Sequence, residues 1–124
     1  GRRRIGKTFL VTNYFEKQLV FEYEGTHNES LSDQLYNFSV AMQLALKLPV
    51  TIAAPESWPQ AFTQLSNFLE TKLRGGNPTV ILFDEFPWIH TPKSGFLSAF
   101  AHWWNSWAGR KYNLKVVISG SAAA

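Results

Sequence analysis

The stretch TVILF, residues 79–83, is apolar without alternation and runs straight into Asp84-Glu85. A half-buried strand alternates apolar and polar residues, because successive side chains point to opposite faces. A run with no polar position needs cover on both faces, which is the situation of a strand inside a parallel sheet flanked by helices. Asp84 and Glu85 end the run, and Pro87 blocks further strand pairing. The chain is therefore expected to be α/β with a mostly parallel sheet, and its other segments must supply strands and helices in alternation.

They do. From residue 7 to about 17 the apolar positions Leu10, Val11, Tyr14 and Phe15 recur at helical spacing. QLVFEYEG, residues 18–25, is rich in β-branched and aromatic residues and is stopped by Gly25, so it reads as a strand. Ser30-Leu31-Ser32-Asp33 can cap a helix whose stripe is Leu31, Leu35, Phe38, Met42 and Ala45, ending before Pro49. Ser57-Trp58-Pro59-Gln60 is a second capping pattern, followed by Trp58, Phe62, Leu65, Leu69 and Leu73 on one face. RGGNP, residues 74–78, terminates that helix. A helix is expected from about residue 92 to 107, with Phe96, Phe100, Trp103, Trp104 and Trp107 along it and Gly109 at its end. Trp103 and Trp104 are adjacent and cannot share a face; most of the stripe is expected to be core, one tryptophan meeting a partner or a further part of the domain. LKVVISGS, residues 114–121, is a last strand running into a polar turn.

The residues that carry chemistry sit at the ends of these elements. Gly1, Arg2, Arg3, Arg4, Ile5, Gly6, Lys7 and Thr8 match G-x-x-x-x-G-K-[ST] without a mismatch, at the head of an expected helix. Glycines at this spacing let backbone N–H groups turn inward around a phosphate, and the helix offers its positive N-terminus to the same anion. Lys7 then reaches the β- and γ-phosphates, and the Thr8 hydroxyl coordinates Mg²⁺. The acids after the buried strand lie at the carboxyl edge of the sheet, where such a loop holds phosphates. Asp84 is expected to hold Mg²⁺ through water and Glu85 to act as general base on the attacking water. A GTPase would carry D-x-x-G after this strand and N-K-x-D later; neither occurs, so ATP is the expected nucleotide. Ser119-Gly120-Ser121 ends a strand beside the one bearing Asp84, and Ser119 and Ser121 are both candidates to sense the γ-phosphate.

GRRRIGKT, FDEFPWI, FLSAFAHWWNSWAG and VVISGSA, in this order, resemble a prokaryotic family of AAA-like P-loop ATPases found in archaea and bacteria, often with a nuclease-like C-terminal domain. The resemblance implies a three-layer P-loop NTPase core of the additional-strand, catalytic-glutamate type, with sheet order 5-1-4-3-2. It implies Lys7 and Thr8 as phosphate and Mg²⁺ ligands, Asp84 as the Mg²⁺ acid, Glu85 as the catalytic base and the serine turn as first sensor. In that family a strand precedes the glycine loop and a fifth strand follows the serine turn. Residues 1–124 are accordingly expected to be a partial domain, truncated at both ends, with its first strand and everything after the fourth strand missing.

The remaining features narrow the field. The 124 residues are 45% hydrophobic, with five Trp and ten Phe, enough for one packed core. Cysteine is absent, which excludes disulfides and thiolate metal sites and makes the reducing cytoplasm the simplest compartment. No apolar run approaches the roughly 18 residues of a membrane span. His27, His90 and His102 lack ligand spacing, and no structural zinc is expected. The net charge of +3 comes largely from Arg2, Arg3 and Arg4. The expected function is Mg²⁺-dependent ATP hydrolysis that drives a conformational change in appended domains, with self-association a further expectation. A nucleotide-gated assembly switch with little turnover is the alternative, and a basic nucleic-acid-binding module through Arg2–Arg4 ranks last.

Overall fold

The elements alternate along the chain in a computed structural model that describes residues 17–27, 29–47, 49, 51–89 and 94–120. Strand β1 is Leu19–Glu24, helix α1 Leu31–Leu46, helix α2 Trp58–Leu73 and strand β2 Thr79–Asp84. A four-residue helix α3, Phe86–Ile89, then α4, Phe96–Ser106, and strand β3, Leu114–Ile118, complete the order. Short 3-10 turns at Arg74–Gly76 and Ala108–Arg110 follow α2 and α4. The fold is α/β, and among the described residues the sheet is open and three-stranded, in the order β1-β2-β3 with both pairings parallel. The expected helix over residues 7 to 17 lies outside the described residues except for Lys17, which sits in a turn.

Local chemistry accounts for the boundaries. Ser30 is extended and its Oγ accepts from the Asp33 N–H at 3.1 Å, starting α1. Ser57 starts α2 in the same way, accepting from the Gln60 N–H at 3.3 Å, with Pro59 in the first turn where its missing donor costs nothing. Gly75 and Gly76, at φ 75° and 78°, take the left-handed conformations that end α2. Two expected boundaries shift. Helix α4 starts at Phe96 rather than near residue 92, because Gly95 is left-handed at φ 72° and the Ser94 hydroxyl accepts from the Phe96 N–H. It ends at Ser106, and Gly109 falls within the 3-10 turn beyond it. The strand ends at Asp84, where the chain turns at left-handed Glu85, and Pro87 lies beyond it inside α3, which the sequence pattern did not reveal.

Every residue of β2 is buried, as its uniform composition requires. Its two faces meet different surroundings. Ile81 and Phe83, with Phe21 and Tyr23 of β1, join the core under α1, α2 and α4. The Phe83 ring packs against the rings of Phe21, Tyr23, Phe62, Phe96 and Phe100 at centroid separations of 5.9–6.5 Å. Each such pair adds roughly 0.5–1.5 kcal/mol beyond the area it buries. Val80, Leu82 and Asp84 alternate with these residues and so occupy the opposite face.

Within the described residues the expected stripes are confirmed, with one exception. Leu31 is exposed at the start of α1, while Leu35, Phe38 and Met42 are buried. In α4, Phe96 and Trp103 are buried, and Phe100 and Trp107 pack partly buried against the core. Trp104 is the tryptophan turned outward, 40% exposed. Among the described residues no helix is long and apolar enough to cross a membrane.

Candidate functional site

The carboxyl ends of the three strands converge on one acidic turn. Glu24 pairs with Asp84 in the parallel register, and Glu22 pairs with Leu82, so Glu22, Glu24 and Asp84 share the face opposite the aromatic core. Asp84 closes β2 and is only 3% exposed. Its Oδ1 accepts from the Glu85 N–H at 2.8 Å and from the Ser119 hydroxyl at 2.5 Å. Charge-assisted bonds of this kind are the stronger class, and two donors on one oxygen fix the carboxylate plane. Ser119 reaches Asp84 because β3 runs parallel beside β2, with Phe83 opposite Ile118 one step before the turn.

The backbone around the turn is held from both sides. The Gly25 N–H donates to the Asp84 carbonyl at 2.9 Å, the Ser119 N–H to the Phe83 carbonyl at 3.0 Å, and the Phe86 N–H to the Ser119 carbonyl at 3.0 Å. Two glycines make the approach geometrically feasible. A Cβ on Gly25 would stand 2.6 Å from the Glu85 carbonyl oxygen and 2.6 Å from Ile89 Cγ1. A Cβ on Gly120 would stand 2.7 Å from Pro87 Cδ. Between them Glu85, 9% exposed, adopts φ 53°, a left-handed conformation that costs a side-chain-bearing residue roughly 1–2 kcal/mol. Strain of this size on a non-glycine residue persists where the surroundings over-determine it, and it concentrates at functional positions.

Among the described residues the charged side chains of this edge, Glu22, Glu24, Asp84 and Glu85, are acidic. Partial desolvation raises the carboxyl of Glu22, an exposed residue, above its ordinary range, and the negative charges of Asp84 and then Glu24 add to the effect. An assembly of like charges favours a cation or a proton there. Carboxylate and hydroxyl oxygens, with no imidazole or thiolate among them, suit a hard ion such as Mg²⁺. Among the described residues no group of three or more His, Cys, Asp or Glu is arranged as a metal cage. Mg²⁺ does not require one, since it commonly takes one or two carboxylates together with substrate phosphates.

Of the residues singled out from sequence, Asp84, Glu85 and Ser119 come together at this edge. Gly1, Arg2, Arg3, Arg4, Ile5, Gly6, Lys7, Thr8 and Ser121 lie outside the described residues. Sequence reasoning passed over Glu22 and Glu24, and took Gly25 only as a strand stop and Gly120 only as part of the serine turn. The acids carried a signal: in F-E-Y-E the alternation puts both carboxylates on one face and both rings on the other.

A second concavity is unrelated to these acids. A groove of about 860 Å³ runs between α2 and α4, with Phe62, Trp103 and Trp107 in its lining. There the Trp103 indole N–H donates to Ser66 Oγ at 2.7 Å, and the Trp103 ring stacks on Phe62 with centroids 4.9 Å apart. The groove is a seam between packed helices.

Comparison of the chain with protein-family models, with curated proteins and with solved structures finds no match.

Proposed function

We propose that this chain forms the core of an Mg²⁺-dependent ATPase of the AAA-like P-loop kind, in which ATP hydrolysis moves appended domains. The observation that carries the reading is the bond from Ser119 to Asp84 across neighbouring parallel strands. It joins the polar turn after one strand to the acid after the next, the relation that a γ-phosphate sensor and an Mg²⁺ acid need. The order β1-β2-β3 supports the same reading, because the second, third and fourth strands of a 5-1-4-3-2 sheet would lie in that order.

On this reading the backbone N–H groups of Gly1–Thr8 cradle the phosphates at the acidic edge, and Lys7 neutralises their charge. Thr8 and Asp84 would hold Mg²⁺, which when bound would offset negative charge on the transferred phosphoryl group. Glu85 takes a proton from the attacking water. Ser119, already bonded to Asp84, reports on the γ-phosphate through that bond. Positioning and electrostatics do most of the work, as is general for phosphoryl transfer.

Lys7→Ala is expected to abolish ATP binding by titration calorimetry; retained binding sinks the assignment of the loop. Glu85→Gln is expected to bind ATP and release phosphate at least a hundredfold more slowly, the scale of a lost general base. A slow turnover left unchanged by Glu85→Gln would favour the nucleotide-gated switch instead.

A further inference from the structure

At the opposite, amino edge of the sheet the charge reverses. Tyr112 and Asn113, in the loop before β3, form the wall between two shallow concavities. One, of about 330 Å³, has Arg74, Arg110 and Lys111 in its lining; the other, of about 190 Å³, has Gln18, Thr79 and Lys115. Among the described residues Glu70 is the acid that lines either, and it pairs with Lys111 at 3.7 Å. Arg74, Arg110 and Lys115 are exposed.

Tyr112 stands among these cations at 88% exposure, the most exposed of the large apolar side chains among the described residues. Its position is built rather than incidental. The Asn113 side-chain amide donates to the carbonyls of Leu73 and Asn77, at 3.0 and 2.8 Å, tying the loop to the end of α2. The Tyr112 hydroxyl lies so close over Gly76 that a Cβ there would come within 2.7 Å of it. Cations at helix C-termini complement the carbonyl ends, and this accounts for Arg74 after α2 and Arg110 after α4. It does not account for an aromatic ring held in water between them, or for Lys115 on the far side of that ring.

We propose that this edge binds single-stranded nucleic acid, with the phosphate backbone passing Arg74, Arg110 and Lys115 and a base stacking on Tyr112. A ring among basic residues is the combination that single strands use, since every base offers a π-face and every phosphate a charge. A purely acidic protein partner would need the cations and leave the ring without a role. The surface is independent of the acidic edge, and neither reading requires the other.

The test is fluorescence anisotropy of a labelled oligothymidylate of about 12 nucleotides with the full chain, across a salt series. Binding is expected at low salt, with affinity falling steeply as salt rises. Tyr112→Ala is expected to weaken binding about tenfold or more, leaving the salt slope unchanged. Arg110→Ala and Lys115→Ala are each expected to lower that slope by about 0.7, the value of one single-strand phosphate contact. Glu85→Gln, at the other edge, is expected to bind the oligonucleotide like wild type. Absence of binding at low salt overturns the proposal. So does binding that is lost on neutralising Arg2, Arg3 and Arg4 but is indifferent to Tyr112→Ala. Equal displacement by polyglutamate, with Tyr112→Ala again indifferent, assigns the surface to an acidic protein and overturns it too.

Discussion

Replacing Gly25 by alanine tests whether the acidic turn is held as tightly as the structure implies. The added Cβ would meet the Glu85 carbonyl oxygen at 2.6 Å, Ile89 Cγ1 at 2.6 Å and the Ile89 N at 3.0 Å. Ordinary contact begins near 3.4 Å, so the turn has to retreat by ~0.8 Å. Neither side can yield cheaply. Two of the three atoms are backbone, and the Ile89 side chain is fully buried. The retreat would also stretch the bond from the Gly25 N–H to the Asp84 carbonyl, now 2.9 Å. Overpacking of this kind costs about 1–3 kcal/mol. For a chain of this length that corresponds to a melting temperature lower by roughly 4–12 °C. Urea denaturation followed by tryptophan fluorescence should show a lower midpoint with an unchanged slope, since the surface exposed on unfolding is the same. If the proposed ATPase reading holds, phosphate release should fall further than stability does, because the displaced atoms carry Glu85. A Gly25→Ala variant within about 0.5 kcal/mol of wild type, the range of an ordinary surface change, would refute the reasoning.

Ser119→Ala should cost about 1.5–3 kcal/mol in denaturant titrations, because it withdraws a hydroxyl from a buried carboxylate; Ser119→Thr should restore most of the loss. Lys47 ends α1 at φ 56°, so Lys47→Gly should raise stability by roughly 0.5–1 kcal/mol, and a thermal melt that moves downward would contradict this. The raised Glu22 carboxyl means that the folded protein holds its proton more tightly than the unfolded chain. That contribution to stability is fully present below the ordinary value of 4.5 and is lost as pH rises through the window just above it. Glu22→Gln should therefore flatten the fall of the denaturation midpoint in that window, by a small amount because the residue is exposed, and an unchanged profile would count against the acidic cluster.

What the sequence made legible follows from how local each cause is. The buried strand could be read because its cover on both faces is written into four consecutive apolar residues, Val80–Phe83. Ser30 and Ser57 could be read as caps because their partners lie three residues away. Helix α3 could not, since Pro87 serves equally to stop a strand and to open a helical turn. The late start of α4 depends on the left-handed conformation of Gly95, and nothing nearby in sequence demands it. At the site, the meeting of Asp84 with the serine turn followed from strand adjacency. The tie to Ser119 depends on where β3 stops, and pattern does not fix strand ends to a residue. Gly25 reads as a mere strand terminator until β2 is laid beside it, because the atoms that exclude a Cβ come from Glu85 and Ile89.

The division of β2 between an aromatic face and an acidic face has one more consequence. Strand pairing repeats every two residues, so a slip of one position exchanges the faces completely. Such a slip would drive Asp84 into the nest of rings around Phe83 and push Phe83 out among carboxylates. Both halves of that exchange are costly, the first because a carboxylate would lose its donors in an apolar medium. The aromatic core and the acidic edge thus proofread one another, and every slip by an odd number of residues violates both. The position of the carboxylate is guaranteed by the packing of the ring beside it.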